Sequence, residues 1–288
     1  MDWLERMNRA MDHIEEHLDQ EVDYNEIARI VCCPPGLFQR VFAVLTDVPM
    51  SEYVRRRRLS KAAEDLCMTA EKVIDVAVKY GYDSPDAFTV AFKRLHGISP
   101  VAARERGTML KAYPKLTFSL VLKGDTEMNY RIEQKPAFQA TGRVLVTSNE
   151  NGGNYQSIPA FWQKCDGDGT IDKLFALKKN AITGGNLLGI CYGAQSNGSF
   201  SYMIGIGTEG TAAPEGMETL DIPASTWAVF ESVGPMPGAI QAMWKRVLGE
   251  FLPNSAYRHA GTPDFELYYP GDNDENYRSE VWIPVVKK

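Results

Sequence analysis

Two pairs of residues near the C-terminal end combine a carboxylate with an aromatic side chain. Glu266 and Tyr268 are two residues apart, as are Glu280 and Trp282. On a β-strand each pair shares one face. Carboxylates beside tyrosine and tryptophan can form an aromatic cage with a negative floor, which suits a delocalised or quaternary cation. A buried unpaired glutamate would stay protonated or await such a cation. Alternatively, both glutamates are solvent-exposed strand residues.

Further aromatic residues are candidates for the same pocket. Two lie on predicted helices and two on predicted strands: Trp162, Trp244, Tyr192 and Trp227. Large aromatic side chains in a small domain usually belong to the core. Pocket and core therefore remain alternatives for these four residues.

Other residue types point to nucleic acid. Arg40 could bind guanine through two hydrogen bonds, and Gln39 could bind adenine. The run from Arg55 to Arg58 is the one dense basic segment of the N-terminal part. It could contact phosphates, or it could form a solvated helix face with ion pairs to Glu64 or Asp65. Four consecutive residues point around the whole helix, so they cannot all reach one duplex.

The remaining reactive residues do not predict catalysis or metal binding. The five cysteines are odd in number, and no C-x-x-C pair occurs. This argues against disulfides and zinc and fits a reducing compartment. His13 and His17 are four residues apart but lack a third ligand nearby. No Ser–His–Asp or Cys–His arrangement is visible, so we expect no catalytic residue, no metal and no cofactor.

Composition limits the remaining classes. The chain has 288 residues, of which 44% are hydrophobic, enough for two ordinary cores. The net charge of −6 is unusual for a DNA-binding protein, so that prediction must rest on local clusters and motifs. No signal peptide and no apolar stretch of about 18 residues is visible. We expect a cytoplasmic protein without a membrane partner.

Hydrophobic periodicity predicts helices throughout residues 1–107. They pair as 24–31 with 36–45 and as 70–79 with 84–96, with a long helix at 51–66 between the pairs. Each pair predicts a helix-turn-helix whose second helix lies in the major groove. The long helix would hold the two units about one duplex turn apart, ~34 Å.

A different pattern follows the predicted linker at 108–127. Strand candidates are 130–132, 138–147, 186–192, 201–207, 217–222, 226–233, 265–269 and 280–286, and helix candidates are 155–165 and 238–251. A Pro-Ala start, a strand and a Trp-bearing helix occur twice, from Pro136 and from Pro223. Such a duplication predicts two sheets side by side with a pocket at their junction. The predicted fold class is multidomain: an all-α tandem helix-turn-helix domain (1–107), then an α+β domain of duplicated sheet-plus-helix units (128–288).

Specific motifs occupy the helical part. They are Phe38-Gln39-Arg40-Val41-Phe42, Gly81-Tyr82-x-Ser84, Phe88-x-x-x-Phe92-Lys93 and Gly97-Ile98-Ser99-Pro100. With these motifs, residues 5 to 106 resemble the DNA-binding domain of the AraC/XylS family. The resemblance implies base-facing residues in both recognition helices, with Lys93 toward phosphate: Gly36, Gln39 and Arg40 in the first, and Asp86, Ala87, Thr89 and Val90 in the second.

The chemistry of the second helix departs from that pattern. Val90 stands where the family commonly has a basic residue, and it could contact only a thymine methyl group. Asp86 could accept a hydrogen bond from cytosine but would repel phosphates. The second helix-turn-helix is therefore expected to bind weakly or with an altered sequence preference.

The C-terminal part carries its own motifs. They are Lys135-Pro136-Ala137, Pro159-x-x-Trp162, Pro223-Ala224-x-x-Trp227, Phe265-Glu266-Leu267-Tyr268 and Glu280-Val281-Trp282-Ile283-Pro284-Val285. With them, residues 128–288 resemble the GyrI-like effector-binding domain. The resemblance implies that Glu266 lies in an aromatic pocket and pairs with lipophilic cations.

Together these features predict a transcription regulator. Its expected partners are double-stranded DNA, a small hydrophobic and cationic effector, and RNA polymerase. Some GyrI-like relatives hydrolyse small reactive molecules with a glutamate and a tyrosine. Glu266 with Tyr268 or Tyr192 could do such general-base work, so a hydrolase is the alternative. A third possibility is a DNA-binding protein whose C-terminal half binds another protein.

Overall fold

The computed structural model describes residues 3–105, 107–119, 127–149, 152–195, 198–210 and 212–288. It forms two compact units. Unit 1 comprises Met1–Cys32 and Met50–Leu120, and unit 2 comprises Cys33–Pro49 and Val121–Lys288. Segment 33–49 thus packs in the unit that holds the C-terminal residues, although the sequence assigns it to the DNA-reading domain. The boundaries 1–107, 108–127 and 128–288 stay predictions.

The N-terminal part is helical, as predicted. Its helices are α1 (Trp3–Glu16), α2 (Tyr24–Val31), α3 (Pro35–Thr46), α4 (Met50–Met68), α5 (Val73–Lys79) and α6 (Pro85–His96), followed by a 3₁₀ turn at Ala102–Arg104. Of these, α3 belongs to unit 2 and the others to unit 1.

Local chemistry sets the ends of these helices. The Asp23 carboxylate caps α2, because it accepts hydrogen bonds from the backbone N–H groups of Asn25 and Glu26 at 2.8 and 3.2 Å. Ser84 caps α6 through the N–H of Ala87 at 3.1 Å. Gly97 ends α6 with a φ of +83°, a left-handed conformation that glycine adopts without strain.

An apolar core of unit 1 lies between α4, α5 and α6. Leu59 of α4, Val76 of α5 and the α6 residues Phe88 and Phe92 are buried together. The first part of the predicted linker packs in the same unit, since Phe118 exchanges two hydrogen bonds of 2.8 Å with the Asn8 amide. Residues 120–126 of that linker lie outside the described residues.

Unit 2 is built on strands, most of them at the predicted positions. They are β1 (Tyr130–Lys135), β2 (Phe138–Ser148), β3 (Leu187–Tyr192), β4 (Ser199–Thr208), β5 (Glu218–Ile222), β6 (Ser225–Val233), β7 (Tyr257–His259), β8 (Asp264–Tyr268) and β9 (Arg278–Lys287). Besides α3, the unit contains the helices α7 (Gly153–Gly167), α8 (Thr170–Phe175) and α9 (Gly238–Arg246). Helix α9 continues through a π-helical turn, Val247–Phe251, and a last turn, Leu252–Asn254.

The duplication predicted from sequence is present, but it builds one sheet rather than two. The strand order is β1-β6-β9-β8-β3-β4-β2-β5, with β7 beside β9 and antiparallel pairing in each ladder of the described residues. The runs β2-α7-β3-β4 and β6-α9-β8-β9 are equivalent. The prediction of two separate sheets is therefore wrong. Strands β3 and β8, one from each repeat, pair directly, because their backbone N–H and C=O groups can hydrogen-bond to each other.

The two faces of this sheet differ. Helices α7 and α8 cover the half formed by β3 and β4, where Tyr202 and Ile204 are buried. Helix α9 covers the half formed by β6 and β9 on that same face. The opposite face carries a separate aromatic core of Trp227, Phe265 and Trp282. Strand alternation separates the two sets of side chains.

Candidate functional site

A glutamate lies at the centre of the sheet, where the two halves join. Glu266 is on β8, and its Oε1 accepts a hydrogen bond from Trp244 Nε1 at 2.7 Å. Its Oε2 accepts from the Tyr268 hydroxyl at 2.5 Å and from the Tyr202 hydroxyl at 3.3 Å. We call these four residues the Glu266 cluster. Trp162 supports it, because its Nε1 donates to the Tyr202 hydroxyl at 3.0 Å.

Strand pairing makes room for this cluster. Gly189 of β3 is the direct partner of Glu266 across the ladder. A Cβ atom at Gly189 would lie 2.2 Å from the Tyr202 hydroxyl oxygen and 3.1 Å from Glu266 Oε2. Only glycine therefore allows the tyrosine and the glutamate to meet over this strand.

The surroundings change the acidity of the cluster. Burial raises the pKa of Glu266 above the usual glutamate value, and this outweighs the opposing effect of hydrogen bonds from Tyr268 and Trp244. Burial and the nearby Glu266 carboxylate raise the pKa values of Tyr202 and Tyr268 well above the usual tyrosine value. The tyrosines therefore act as hydrogen-bond donors.

The cluster opens into a cavity of about 930 Å³ with largely apolar walls. Trp162 and Ile158 of α7 line one side, and Ile240 and Trp244 of α9 line another. The Trp162 and Tyr268 rings meet edge to face, 5.1 Å apart. This volume lies within the range of small-molecule pockets, which are typically apolar with a few fixed polar groups.

Two cationic residues, Arg40 and Lys245, are among those that line the cavity. The Arg40 side chain on α3 binds both carboxylate oxygens of Asp264 through Nη1, at 2.7 and 2.8 Å. Its guanidinium carbon lies 4.3 Å from the centre of the Trp244 ring. His259 Nε2 lies 3.1 Å from Asp264 Oδ2, while its Nδ1 accepts from the Gly261 N–H. Nε2 is therefore a donor to Asp264.

Comparison with known proteins gives this unit a family. Residues 128–286 match the family model described as a GyrI-like small molecule binding domain. The chain belongs to the GyrI-like family. Residues 27–106 match a helix-turn-helix domain model, which confirms the predicted order of an AraC-type domain followed by a GyrI-like domain.

A solved structure resembles the GyrI-like part. The structure of SAV2435 bound to tetraphenylphosphonium is 30% identical, covers 55% of this chain and 94% of that chain, and has a TM-score of 0.50.

Curated relatives match the helical part. The HTH-type transcriptional activator AarP of Providencia stuartii is 40% identical over 87 residues, which are 30% of this chain and 64% of AarP. The transposon Tn10 TetD protein of Escherichia coli is 37% identical over 87 residues, which are 30% of this chain and 63% of TetD. The chain thus spans less than two thirds of the length of these curated relatives.

Half of the predicted ligand-binding residues line the cavity of the GyrI-like domain. These are Glu266, Tyr268, Trp162 and Trp244. Tyr202, Asp264 and Gly189 were missed by the sequence analysis. Alternation on β8 could have indicated Asp264, which is two residues before Glu266, but Tyr202 and Gly189 reach the site only through strand register.

The other half lie on the opposite face of the sheet. These are Glu280, Trp282, Trp227 and Tyr192. The reason is register: Glu266 pairs with Val281 rather than with Glu280, and paired residues share a face. The expected single cage that includes both glutamates does not form.

Glu280 instead belongs to a closed ion pair. Its carboxylate binds the Arg131 guanidinium at 2.9 and 3.2 Å and accepts from Trp282 Nε1 at 2.8 Å. It is buried, with 3% of its surface exposed. This contradicts the alternative of a solvent-exposed strand carboxylate and gives Glu280 a structural partner.

The predicted DNA-binding residues fall into two groups. On α6, Asp86, Ala87, Val90 and Lys93 are exposed, and Thr89 is half-buried. This face is apolar at Val90 and acidic at Asp86, as the sequence indicated. Its residues have the accessibility that contact with a duplex requires.

The corresponding residues of α3 lie against the GyrI-like domain. Gly36 and Gln39 are buried, and the Arg40 side chain is 17% exposed. A Cβ atom on Gly36 would lie 2.4 Å from the Ala194 Cβ. Sequence periodicity could not predict this, because it locates α3 but not its neighbours.

The arginine run of α4 is bonded inside unit 1. Arg55 and Arg56 pair with Glu52 at 2.7 and 2.6 Å. Arg57 pairs with Glu15 at 2.6 Å, and Arg58 binds the Leu18 carbonyl at 2.8 Å. Glu64 and Asp65, the partners expected from sequence, bind lysines instead. The run thus stabilises the helical unit.

Within the described residues, no group of three or more His, Cys, Asp or Glu could hold a metal ion. In the same residues no single helix is long and apolar enough to cross a membrane, although α2 and α3 taken together have the length and composition of a span.

Proposed function

We propose that this chain is a DNA-binding transcription regulator controlled by a small lipophilic cation. The helix-turn-helix match at residues 27–106 and the relatedness of that part to the activator AarP support DNA-dependent regulation. The exposed face of α6 supports duplex binding. Double-stranded DNA and RNA polymerase are the partners of such a regulator.

The Glu266 cluster supports the chemical class of the effector. A carboxylate in an apolar cavity loses hydration, and a cation that enters restores a favourable charge pair. The rings of Trp244, Trp162 and Tyr268 can contact a delocalised positive charge, which adds about 0.5–2 kcal/mol for each good cation–π contact. The related SAV2435 is bound to tetraphenylphosphonium in its structure, a cation of this class.

The same cluster gives the hydrolase alternative a specific basis. Glu266 and the Tyr268 hydroxyl are 2.5 Å apart, and a raised glutamate pKa is favourable for a general base. Both functions need Glu266, so binding alone does not distinguish them. Product formation does.

The effector is tested by thermal unfolding of the full chain with tetraphenylphosphonium and with an uncharged tetraphenyl analogue. At about 100 times its dissociation constant, a ligand adds about 2.7 kcal/mol of stability. We expect the cation to raise the melting temperature of the wild type and to lose that effect in Glu266→Gln. Glu280→Gln is the matched control, since it removes a buried carboxylate from the opposite face, and it should keep the cation effect.

Equal effects of the cation and the neutral analogue, or an undiminished effect in Glu266→Gln, would contradict the proposal. Incubation of the wild type with reactive esters and epoxides, followed by chromatography, tests the alternative. Glu266-dependent product would favour the hydrolase.

A further inference from the structure

Helix α3 is attached to the GyrI-like domain by the residues that the family resemblance assigns to DNA bases. Gly36 packs against Ala194, and the Gln39 Oε1 atom lies 2.6 Å from the place a Cβ would take on Gly198. Arg40 binds Asp264 at 2.7 Å. The surface of α3 that would read bases is thus the surface that contacts the sheet and its loops.

Arg40 makes the contacts that are expected of a bound cationic ligand. Its guanidinium lies over the Trp244 ring, 4.3 Å from the centroid, and is paired with a carboxylate. Trp244 also donates to Glu266 at 2.7 Å. Asp264 and Glu266 lie on the same face of β8, two residues apart. The aromatic ring suited to an incoming cation therefore already contacts a cation of the chain.

Further contacts tie α3 to the walls of the same cavity. The Tyr155 hydroxyl of α7 donates to the Ala43 carbonyl at 3.3 Å. Lys245 of α9 pairs with Asp47 at 2.6 Å. Val44 packs with the apolar cluster that includes Trp244. A ligand that moves Arg40 or Trp244 must therefore disturb the packing of α3 against the walls of the cavity.

We propose that Arg40 is an internal competitor for the cation site, and that a cationic effector displaces it and frees α3 to bind DNA. The guanidinium lies over the Trp244 ring that the effector would contact, and its partner Asp264 lies beside Glu266 on one face of β8, so the guanidinium and the effector exclude each other. Displacement releases the arginine that can bind guanine. This inference rests on the proposed function and assigns its regulation to one residue.

The test measures tetraphenylphosphonium affinity of the full chain by isothermal titration calorimetry. Removal of the competitor in Arg40→Met should tighten binding about tenfold or more. Because that variant also leaves Asp264 without its arginine, the double variant Arg40→Met/Asp264→Asn is measured too, and it should keep a gain over the wild type. Arg278→Met is the matched control, since Arg278 pairs with Glu231 at 2.6 Å and lies over the Tyr269 ring, and it is not among the residues that line the cavity. It should bind as the wild type does.

Hydrogen exchange tests the release of α3. Saturating tetraphenylphosphonium should speed amide exchange in residues 35–46 and slow it in β8. Unchanged affinity in Arg40→Met, a gain lost in the double variant, or unchanged exchange in α3 would overturn the inference. If the wild type binds the cation through Glu266 and Arg40→Met binds it equally, the inference alone fails. If no variant binds it, the proposed function fails as well.

Discussion

Glu266 faces an apolar cavity, although a carboxylate is most stable in water. Three side-chain donors from Trp244, Tyr268 and Tyr202 surround it, yet its pKa is still raised because burial dominates. Ion burial of this kind costs several kcal/mol when the charge is unpaired. Such a residue is maintained at a cost to stability, which fits a role in binding.

The raised pKa of Glu266 predicts that the stability of the protein depends on pH. The folded protein holds the Glu266 proton more tightly than the unfolded chain, so wild-type stability falls as the pH rises through the raised pKa. The variant Glu266→Gln has no such proton. Its free energy of unfolding minus that of the wild type should therefore increase from about pH 4 to about pH 8. Urea unfolding across this range measures it, and a constant or decreasing difference would contradict the account.

At the residue scale, the sequence correctly predicted a glutamate and a tyrosine on one face of the sheet. It assigned a second glutamate to the same pocket, although that residue lies on the opposite face. Alternation correctly put Glu266 and Tyr268 together, since it depends only on neighbours along a strand. It could not decide that Glu280 lies on the opposite face, because that depends on the pairing of Glu266 with Val281. Register between distant strands is a tertiary property, and Gly189 enters the site for the same reason.

Helices α3 and α6 hold equivalent positions in the two predicted helix-turn-helix units, but their surroundings differ. The α6 residues Val90 and Lys93 are exposed, whereas Gln39 and Arg40 of α3 contact the GyrI-like domain. Caps and periodicity located both helices closely. Periodicity missed α8 and β7, which are only six and three residues long, because a short element shows too little of a period.

Because α6 is exposed, we expect it to contribute to DNA binding through contacts with phosphates. Each neutralised phosphate contributes about 0.9 to the slope of log affinity against log salt. Lys93→Ala should reduce that slope by about one and weaken binding similarly across sequences. Lys61→Ala is the control, since Lys61 pairs with Glu64 at 2.8 Å on α4. Fluorescence anisotropy at several salt concentrations measures both variants, and equal slopes for Lys93→Ala and the wild type would show that α6 does not reach the phosphates.

The whole chain combines a match to a DNA-reading domain at 27–106 with a GyrI-like domain at 128–286. The order of these parts could be predicted from motifs, because each motif is local. The packing of segment 33–49 in the unit of the sheet could not, because it depends on contacts between residues far apart in sequence, such as Arg40 and Asp264. That contact links the arginine that the family resemblance assigns to DNA bases with the residue two positions before Glu266.

The measurement that tests this account most directly is DNA affinity with and without tetraphenylphosphonium. The duplex is one selected by the wild-type protein from a random pool, and binding is followed by fluorescence anisotropy. The account predicts that the saturating cation tightens wild-type binding roughly fivefold or more, the usual scale of coupling between sites, and leaves Glu266→Gln unchanged. Equal affinities of the wild type with and without bound cation would contradict it.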